Sequence, residues 1–401
     1  MDAGEHMQVI RRLCSFERRR AGTDAERRAA SYLADRLREG GREAEIEPTY
    51  VHPQFALVHA VHCGLGIAAS IVALRAPAVG FAIVLLTALA MYLDLNTRFY
   101  LVRSLFFRRA SQNVVSRGGR REAPVRVVLC AHYDAGRTGR VFAPRTVQRA
   151  GRIQRRLPVP IGPFRIAFWS LAALLPILGA RMAGIDEVWL SAVQVVPTLV
   201  LVVAVFALVD VALSDVVPGA NDNASGVATV LELARELDRE RPENLDVWVA
   251  LTGAEECLEE GMRSFVRSHR DELPRESTYF ISVDAVGYGG VRYETGAGWA
   301  ITLPMSPRLV ELCEAIADEG DGLAARPLKR GLAGDSIAAR VRRYPATTIT
   351  CTTEIDFLPG LHTFDDVPEN LQPEALERAH EFTLALVRLL DRDVGRRSAL
   401  V

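Results

Sequence analysis

The chain has 401 residues and a formal net charge of −1 at pH 7. Its length suits one large α/β domain, or a domain with added membrane segments, and its net charge gives no overall basic field of the kind that attracts nucleic acid. The six cysteines form no Cys-x-x-Cys pair, which disfavours a thiolate metal site and favours reduced thiols over disulfides.

The amino-terminal segment is rich in charged residues and has no apolar stretch of the kind found in a cleavable secretory signal. Two pairs of apolar runs then interrupt an otherwise soluble pattern. The four runs cover residues 55–74, 76–93, 166–180 and 188–209. A membrane-spanning helix needs about 20 apolar residues. The runs therefore predict two transmembrane helical hairpins, over 54–95 and 161–213, although buried core helices of a soluble protein are the alternative.

The distribution of arginine predicts the orientation of these hairpins. Fifteen arginines but only two acidic residues lie within 96–160, whereas the opposite ends of the hairpins carry only Arg75 and Arg181. The positive-inside rule then places the arginine-rich side, and the catalytic domain with it, in the cytoplasm. The basic segment 137–156 could bind nucleic acid. It has little aromatic interleaving and precedes a membrane run, so membrane lipids are the favoured partner.

Helix and strand patterns alternate in the remaining segments, which we expect to form a single discontinuous domain from 1–53, 96–160 and 214–401. Strands are predicted at 125–131, 246–251, 279–283 and 347–351, and helices at 25–39, 225–239, 308–318 and 374–390. This alternation favours an α/β fold with a mixed, largely parallel sheet flanked by helices. In such sheets, functional sites form beyond the carboxyl ends of the strands.

Polar residues follow the first predicted strand and recur before a later helix. His132 and Asp134 lie two residues apart, on one side of the strand, which suits a metal ligand and a carboxylate that orients it. Alone, such a pair is more often structural. Asp222 lies in the sequence Pro-Gly-Ala-Asn-Asp-Asn-Ala-Ser-Gly. A helix cap by Asn223 or Ser225 explains one polar residue there but not the whole run.

Acidic residues follow the next two strands. Glu255 and Glu256 are adjacent, and a solvated helix start is the simple explanation. In the functional interpretation, one binds metal while the other acts as a general base on metal-bound water. Asp284 ends the third strand and His362 lies in a loop, where a strand cap and a surface histidine are the simple explanations.

Five of these residues together predict a metal centre. Each of them either follows a strand whose end should converge with the others or lies in a loop near those ends. They are His132, Asp222, Glu256, Asp284 and His362. Histidine and carboxylate ligands suit zinc or another divalent first-row ion. Five ligands exceed the needs of one zinc, and a bridging carboxylate between two ions about 3.5–4 Å apart would use them.

These motifs resemble metallopeptidase family 28, the group of two-zinc aminopeptidases and glutamate carboxypeptidases. The similar segments are 19–41, AHYD at 131–134, PGANDNASG at 218–226, TGAEE at 252–256, SVD at 282–284 and HTFDD at 362–366.

The resemblance implies a role for each candidate residue. Asp222 would bridge two zinc ions, with a cis peptide bond after it. His132 and Asp284 would complete one site, and Glu256 and His362 the other. Glu255 would be the general base, and Asp134 would orient His132.

The implied activity is that of a membrane-anchored, zinc-dependent exopeptidase acting on peptide substrates, with an aminopeptidase favoured. A glutaminyl-cyclase-like transferase with one zinc and a catalytically inactive membrane scaffold are the alternatives. Leu258 stands where the family usually has glycine, and Gly334-Asp335-Ser336 only loosely matches its substrate-side motif. The link 214–220 spans at most about 25 Å. We therefore expect the metal centre close to the membrane surface, with its mouth rimmed by the arginines of 137–156.

Overall fold

The computed structural model describes residues 3–120, 122–154, 156–157, 159–318 and 323–398. Arg155 of the basic segment and the carboxyl-terminal Val401 lie outside these ranges.

Among the described residues, nine strands form one sheet that joins all three predicted soluble segments. They are β1 (Glu45–Val51), β2 (Arg109–Ser116), β3 (Val125–His132), β4 (Leu245–Thr252), β5 (Thr278–Val283), β6 (Gly290–Ala297), β7 (Leu303–Pro304), β8 (Ala325–Lys329) and β9 (Ala346–Thr352). The order is β1-β2-β4-β3-β5-β9-β6-β7, and β8 pairs with β6.

The centre of the sheet is parallel and its flanks are mixed. Strands β4, β3, β5 and β9 pair in parallel, whereas β1 and β2 on one side and β6 on the other add antiparallel pairs. Every residue of β4 is buried, as expected for a parallel strand covered on both faces. The predicted mixed sheet flanked by helices is confirmed, with more antiparallel pairing than the four predicted strands suggested.

In the part of the chain that the structure describes, twelve α-helices accompany the sheet. They are α1 (Ala3–Cys14), α2 (Asp24–Glu39), α3 (Phe55–Val72), α4 (Pro77–Leu95), α5 (Pro144–Gln154), α6 (Pro163–Met182), α7 (Val188–Leu213), α8 (Gly226–Arg239), α9 (Glu260–Ser268), α10 (Pro307–Asp318), α11 (Asp335–Val341) and α12 (Pro373–Ser398).

Alternating side chains of the central strand pack into the two helical layers of the fold. Val127 and Leu129 of β3 enter a core shared with α1, α2, α8, α10 and α12. Val128 and Cys130 enter a smaller core shared with α9 and α11. This alternation is the two-residue period of a strand, and both faces of the sheet are covered by helices as a result.

The four apolar helices α3, α4, α6 and α7 pack together as a bundle with its own core. Among the described residues, they are the helices long and apolar enough to cross a membrane. The bundle core also includes Leu258 and Ala300 from the α/β domain. The core of the helix bundle therefore extends onto the turn after β4 and the loop after β6.

Polar contacts reinforce this junction. Arg165 of α6 donates hydrogen bonds to the Gly298 carbonyl at 2.6 Å and to Thr302 Oγ1 at 2.9 Å. Trp169 Nε1 donates to the Ala300 carbonyl at 3.0 Å. The whole loop after β6 is thus hydrogen-bonded to the first turns of α6.

Candidate metal centre

The five predicted ligand residues meet at the carboxyl edge of the parallel strands. His132 ends β3, Glu256 follows β4 and Asp284 follows β5. Asp222 lies in the tight turn before α8, and His362 lies in the loop before α12. Since neighbouring parallel strands end at the same edge, residues far apart in sequence converge here.

The side chains divide into two groups that share one carboxylate. In the first group, His132 Nε2 lies 3.2 Å from Asp222 Oδ1 and 3.7 Å from Asp284 Oδ1. In the second, His362 Nε2 lies 3.4 Å from Asp222 Oδ2 and 3.3 Å from Glu256 Oε2. Within each group, the ligand atoms all lie within 4.8 Å of one another. The two oxygens of Asp222 therefore face the two groups, as a bridging carboxylate would.

Hydrogen bonds to backbone carbonyls determine which nitrogen of each histidine is protonated. His132 Nδ1 lies 3.3 Å from the carbonyl of Asp134, and His362 Nδ1 lies 2.9 Å from the carbonyl of Arg137. A carbonyl can only accept, so both Nδ1 atoms donate. In the neutral rings, each Nε2 lone pair then points at the carboxylates of its own group, which is the orientation of a metal-binding histidine.

The electrostatics of the site fit bound cations. Burial raises the pKa of Glu256 to about 8, and its Oε1 has no hydrogen-bond partner in the protein. Burial lowers the pKa of His362, but the negative charges of Glu256 and Asp222 outweigh it and raise the pKa to about 10. Lone pairs and carboxylates that face one another repel unless a proton or a cation lies between them. Histidine nitrogens and carboxylate oxygens suit zinc or another divalent first-row ion.

Asp134 has a larger role than the orientation of one histidine. Its Oδ1 lies 3.5 Å from His132 Nδ1 and accepts a hydrogen bond from the Glu255 backbone N–H at 3.0 Å. Its Oδ2 accepts from the Glu256 N–H at 3.2 Å. The buried carboxylate thus holds β3 and the turn after β4 at a set separation.

The side chains of the adjacent Glu255 and Glu256 point in different directions, as the sequence suggested. Glu256 faces His362, whereas Glu255 Oε2 lies 3.7 Å from His132 Nε2, beside the first group. Burial raises the pKa of Glu255 well above its usual range. A buried carboxylate with a raised proton affinity beside a metal group is suited to proton transfer.

The turn that carries Asp222 is held from two sides. Asp366 accepts hydrogen bonds from the backbone N–H groups of Asn221 at 2.6 Å and Asp222 at 3.1 Å. Arg19, fully buried, donates to the carbonyls of Tyr133 at 2.7 Å and Gly219 at 2.6 Å, and so ties the two ligand loops together. The predicted cis peptide bond is present between Asp222 and Asn223.

Sequence reasoning missed Arg330. Its Nη2 donates to Asp284 Oδ2 at 3.0 Å, and its Nε contacts Glu294. Arg330 follows β8, so the rule that sites form at strand ends would have found it, had that short polar strand been predicted. Asp335 instead accepts from Thr252 Oγ1 at 2.5 Å and is not among the described residues that line the cavity.

A cavity of about 110 Å³ opens onto the centre. Its wall includes the ligands, Glu255 and Arg330, and also Phe55 at the start of α3 and Phe164 near the start of α6. The centre therefore lies against the ends of the apolar helices, as the short link 214–220 predicts. From the segment 137–156, the described lining contains Phe142, stacked on His362 at 4.3 Å, rather than the expected arginines.

The fold is that of zinc-dependent exopeptidases and glutaminyl cyclases. A Zn-dependent exopeptidase from Parabacteroides distasonis superposes with a TM-score of 0.54 and 15% identity, covering 96% of each chain. A leucine aminopeptidase precursor from Bacteroides thetaiotaomicron has a TM-score of 0.54 and 15% identity, covering 96% of this chain and 97% of its own. Porphyromonas gingivalis glutaminyl cyclase has a TM-score of 0.55 and 14% identity, covering 98% and 99%. These identities show the shared fold alone.

Sequence comparison supports the resemblance. The model of peptidase family M28 matches residues 199–387, a stretch that contains four of the five candidate ligands. No curated protein matches the chain. The resemblance seen in the motifs is therefore confirmed over residues 199–387.

Proposed function

We propose that this protein is a zinc-dependent exopeptidase, and specifically an aminopeptidase. The observation that carries the proposal is the pair of histidine–carboxylate groups joined by Asp222, with Glu255 beside them. When bound, two zinc ions would polarise the scissile carbonyl and acidify a water molecule. His132 and Asp284 would hold one ion, Glu256 and His362 the other, and Asp222 both.

Glu255 would move the proton in this reaction. Its carboxylate lines the cavity beside the first group without belonging to either ligand group. It would take a proton from the attacking water and deliver it to the leaving amine. Asp134 would hold the Glu255 backbone in place during both transfers, through the hydrogen bond to its N–H group.

One feature of the cavity favours an exopeptidase, and a second favours removal of an amino-terminal residue. Its volume of about 110 Å³ is suited to a single terminal residue rather than a long peptide segment. Recognition of a substrate carboxylate would require a free cation. Among the described residues that line the cavity, the arginine is Arg330. Its guanidinium is already paired with Asp284 and Glu294, so it is not available to a substrate carboxylate.

The same structure supports a membrane-anchored arrangement. We propose that 54–95 and 161–213 form two transmembrane hairpins, and that 1–53, 96–160 and 214–401 form one peptidase domain on the cytoplasmic side. The shared sheet supports the single domain, and the asymmetry of arginine supports the orientation. Substrates would be peptides at the cytoplasmic membrane face, because the cavity adjoins the helix ends.

A glutaminyl-cyclase-like transferase is the second candidate, favoured by the similarity to glutaminyl cyclases. The two activities give different products from a peptide with amino-terminal glutamine. A peptidase releases free glutamine, whereas a cyclase releases ammonia and leaves a pyroglutamyl peptide.

The decisive experiment uses the full-length protein, purified in detergent and loaded with zinc. Reporter peptides with a free amino terminus, a blocked amino terminus or a free carboxyl terminus are each assayed with and without a chelator. We expect chelator-sensitive release of the amino-terminal residue from the first reporter only. Release of ammonia from a glutaminyl peptide would select the cyclase, and no turnover of any substrate by zinc-loaded protein would select the inactive scaffold.

A further inference from the structure

The cavity at the metal centre has a mixed lining. It combines the ligands and Glu255 with an apolar wall. The wall comes from both parts of the molecule, and it includes Phe55, Phe142, Phe164, Leu258, Trp299 and Leu361. A small apolar pocket next to a few polar groups is the usual form of a ligand site.

The ends of the apolar helices supply the aromatic part of this wall. Phe55 begins α3 and Phe164 lies one residue inside α6. Their rings are 6.3 Å apart, and Phe164 meets Trp299 edge to face at 5.3 Å. Trp299 is oriented by its Nε1, which donates to Glu259 Oε1 at 2.8 Å. The wall is therefore a packed unit rather than a set of mobile side chains.

Leu258 connects this wall to the turn that carries Glu255. Its φ is 64°, a left-handed conformation that glycine adopts at low cost and leucine does not. Its side chain is 4% exposed and belongs to the core of the helix bundle. Leucine at this position fills space beside the catalytic turn that a glycine would leave open.

We propose that the bundle ends form the pocket for the terminal side chain of the substrate, and that the substrates are peptides whose terminal residue is bulky and apolar. This inference rests on the proposed peptidase function. Binding of a bulky apolar side chain is favoured because the side chain leaves water for this wall. Alanine buries little apolar surface and is favoured less, and a charged side chain loses its hydration. The apolar helices then determine specificity in addition to anchoring the protein.

The test compares leucyl and alanyl reporter peptides in full-length protein. Phe164→Ala removes the centre of the wall, and we expect its ratio of leucyl to alanyl kcat/KM to fall at least about tenfold. The change should appear mainly in KM, with zinc content unchanged. Phe206→Ala is the matched control, because Phe206 lies on α7 with its side chain 71% exposed. It should keep the wild-type ratio.

A second pair of variants covers the case in which Phe164→Ala does not fold. Leu258→Gly removes a side chain where the backbone favours glycine, and Phe55→Ala shortens the wall at the start of α3. Both should lower the same ratio. An unchanged ratio in folded, zinc-loaded variants would overturn the pocket assignment while leaving the peptidase proposal intact.

Binding without turnover separates the two proposals. Thermal shifts of wild-type protein with leucinol and with alaninol report the pocket independently of hydrolysis. We expect stabilisation by leucinol at lower concentration than by alaninol, and loss of this difference in Phe164→Ala. Preferential binding of leucinol by protein that cleaves no reporter would support the pocket and overturn the peptidase function. Equal binding of the two would overturn the pocket.

Discussion

At the scale of single residues, Asp222 links the two halves of the centre, since its oxygens face His132 and His362 separately. We therefore expect two divalent ions per chain after reconstitution, measured by elemental analysis of the purified protein. His132→Ala and Glu256→Ala should each lose at least one ion. The matched control is His380→Ala, because His380 pairs with Glu236 outside the centre. Wild-type protein with one ion or none would contradict the two-zinc proposal.

Glu255 gives the second prediction. Glu255→Gln keeps the size of the side chain but cannot accept the proton of water. We expect turnover to fall by about 10²–10⁴-fold, as for loss of a general base, while both ions stay bound. Single-turnover hydrolysis and elemental analysis on the same sample measure the two effects. Near-wild-type turnover would move the role of base to another group, and loss of metal would make Glu255 a ligand.

Three of the five candidate ligands could be chosen from the sequence because they follow buried strands, and the other two lie in a turn rich in small residues and in a loop before a helix. Arg330 escaped because β8 has the sequence Ala-Arg-Pro-Leu-Lys, which lacks both alternation and a run of apolar residues. Its ion pair with Glu294 joins β8 to β6, and no local pattern encodes such a long-range pair.

At the scale of elements, buried parallel strands were predictable and flanking strands were not. β3 and β4 read as continuous apolar runs because both of their faces are covered. β1 contains a proline, and its first four residues are exposed or half-buried, because the strand lies at the edge of the sheet. Edge strands need less apolar surface, so their sequences carry a weaker signal.

The junction between α4 and the peptidase domain gives the third prediction. Arg103 is fully buried and bonds Asp94 Oδ2 at 3.0 Å, Glu260 Oε1 at 2.8 Å and the Cys257 carbonyl at 2.7 Å. Arg103→Met would leave two buried carboxylates without their shared cation. Breaking a buried ion pair from one side costs about 3–5 kcal/mol. We expect a marked fall in the thermal unfolding temperature in detergent.

Arg28→Met is the control for this variant. Arg28 pairs with Asp24 at 3.0 Å on the surface of α2, where both side chains are more than half exposed. Exposed pairs contribute about 0–1 kcal/mol. Similar effects of the two substitutions would show that the Arg103 cluster does not hold the junction together.

At the scale of the whole molecule, arginine asymmetry predicts topology. A reporter inserted near Gly184, between α6 and α7, should behave as external, and one fused after Val401 as cytoplasmic. Accessibility to a membrane-impermeant label in intact cells measures both. The reverse pattern would place the peptidase domain outside the cytoplasm, and disulfide bonds between the six cysteines would then have to be tested.

The contact between helix ends and centre was foreseen only in part. The short link 214–220 limited how far the centre could lie from α7, but chain length says nothing about which side chains meet. Phe55 and Phe164 are separated by more than a hundred residues, and their meeting depends on how two hairpins pack. Leu258 in place of the usual glycine was the one local sign of this contact.

The order of the sheet also has a consequence for biosynthesis. β3 lies between β4 and β5, and both of these follow α7 in the chain. A ribosome that has completed α7 has therefore made both hairpins but only one of the five candidate ligands, His132. Both apolar hairpins are thus made before the central strand has either neighbour. In the proposed membrane-anchored arrangement, the ligand set is completed only after the segments that would anchor the chain.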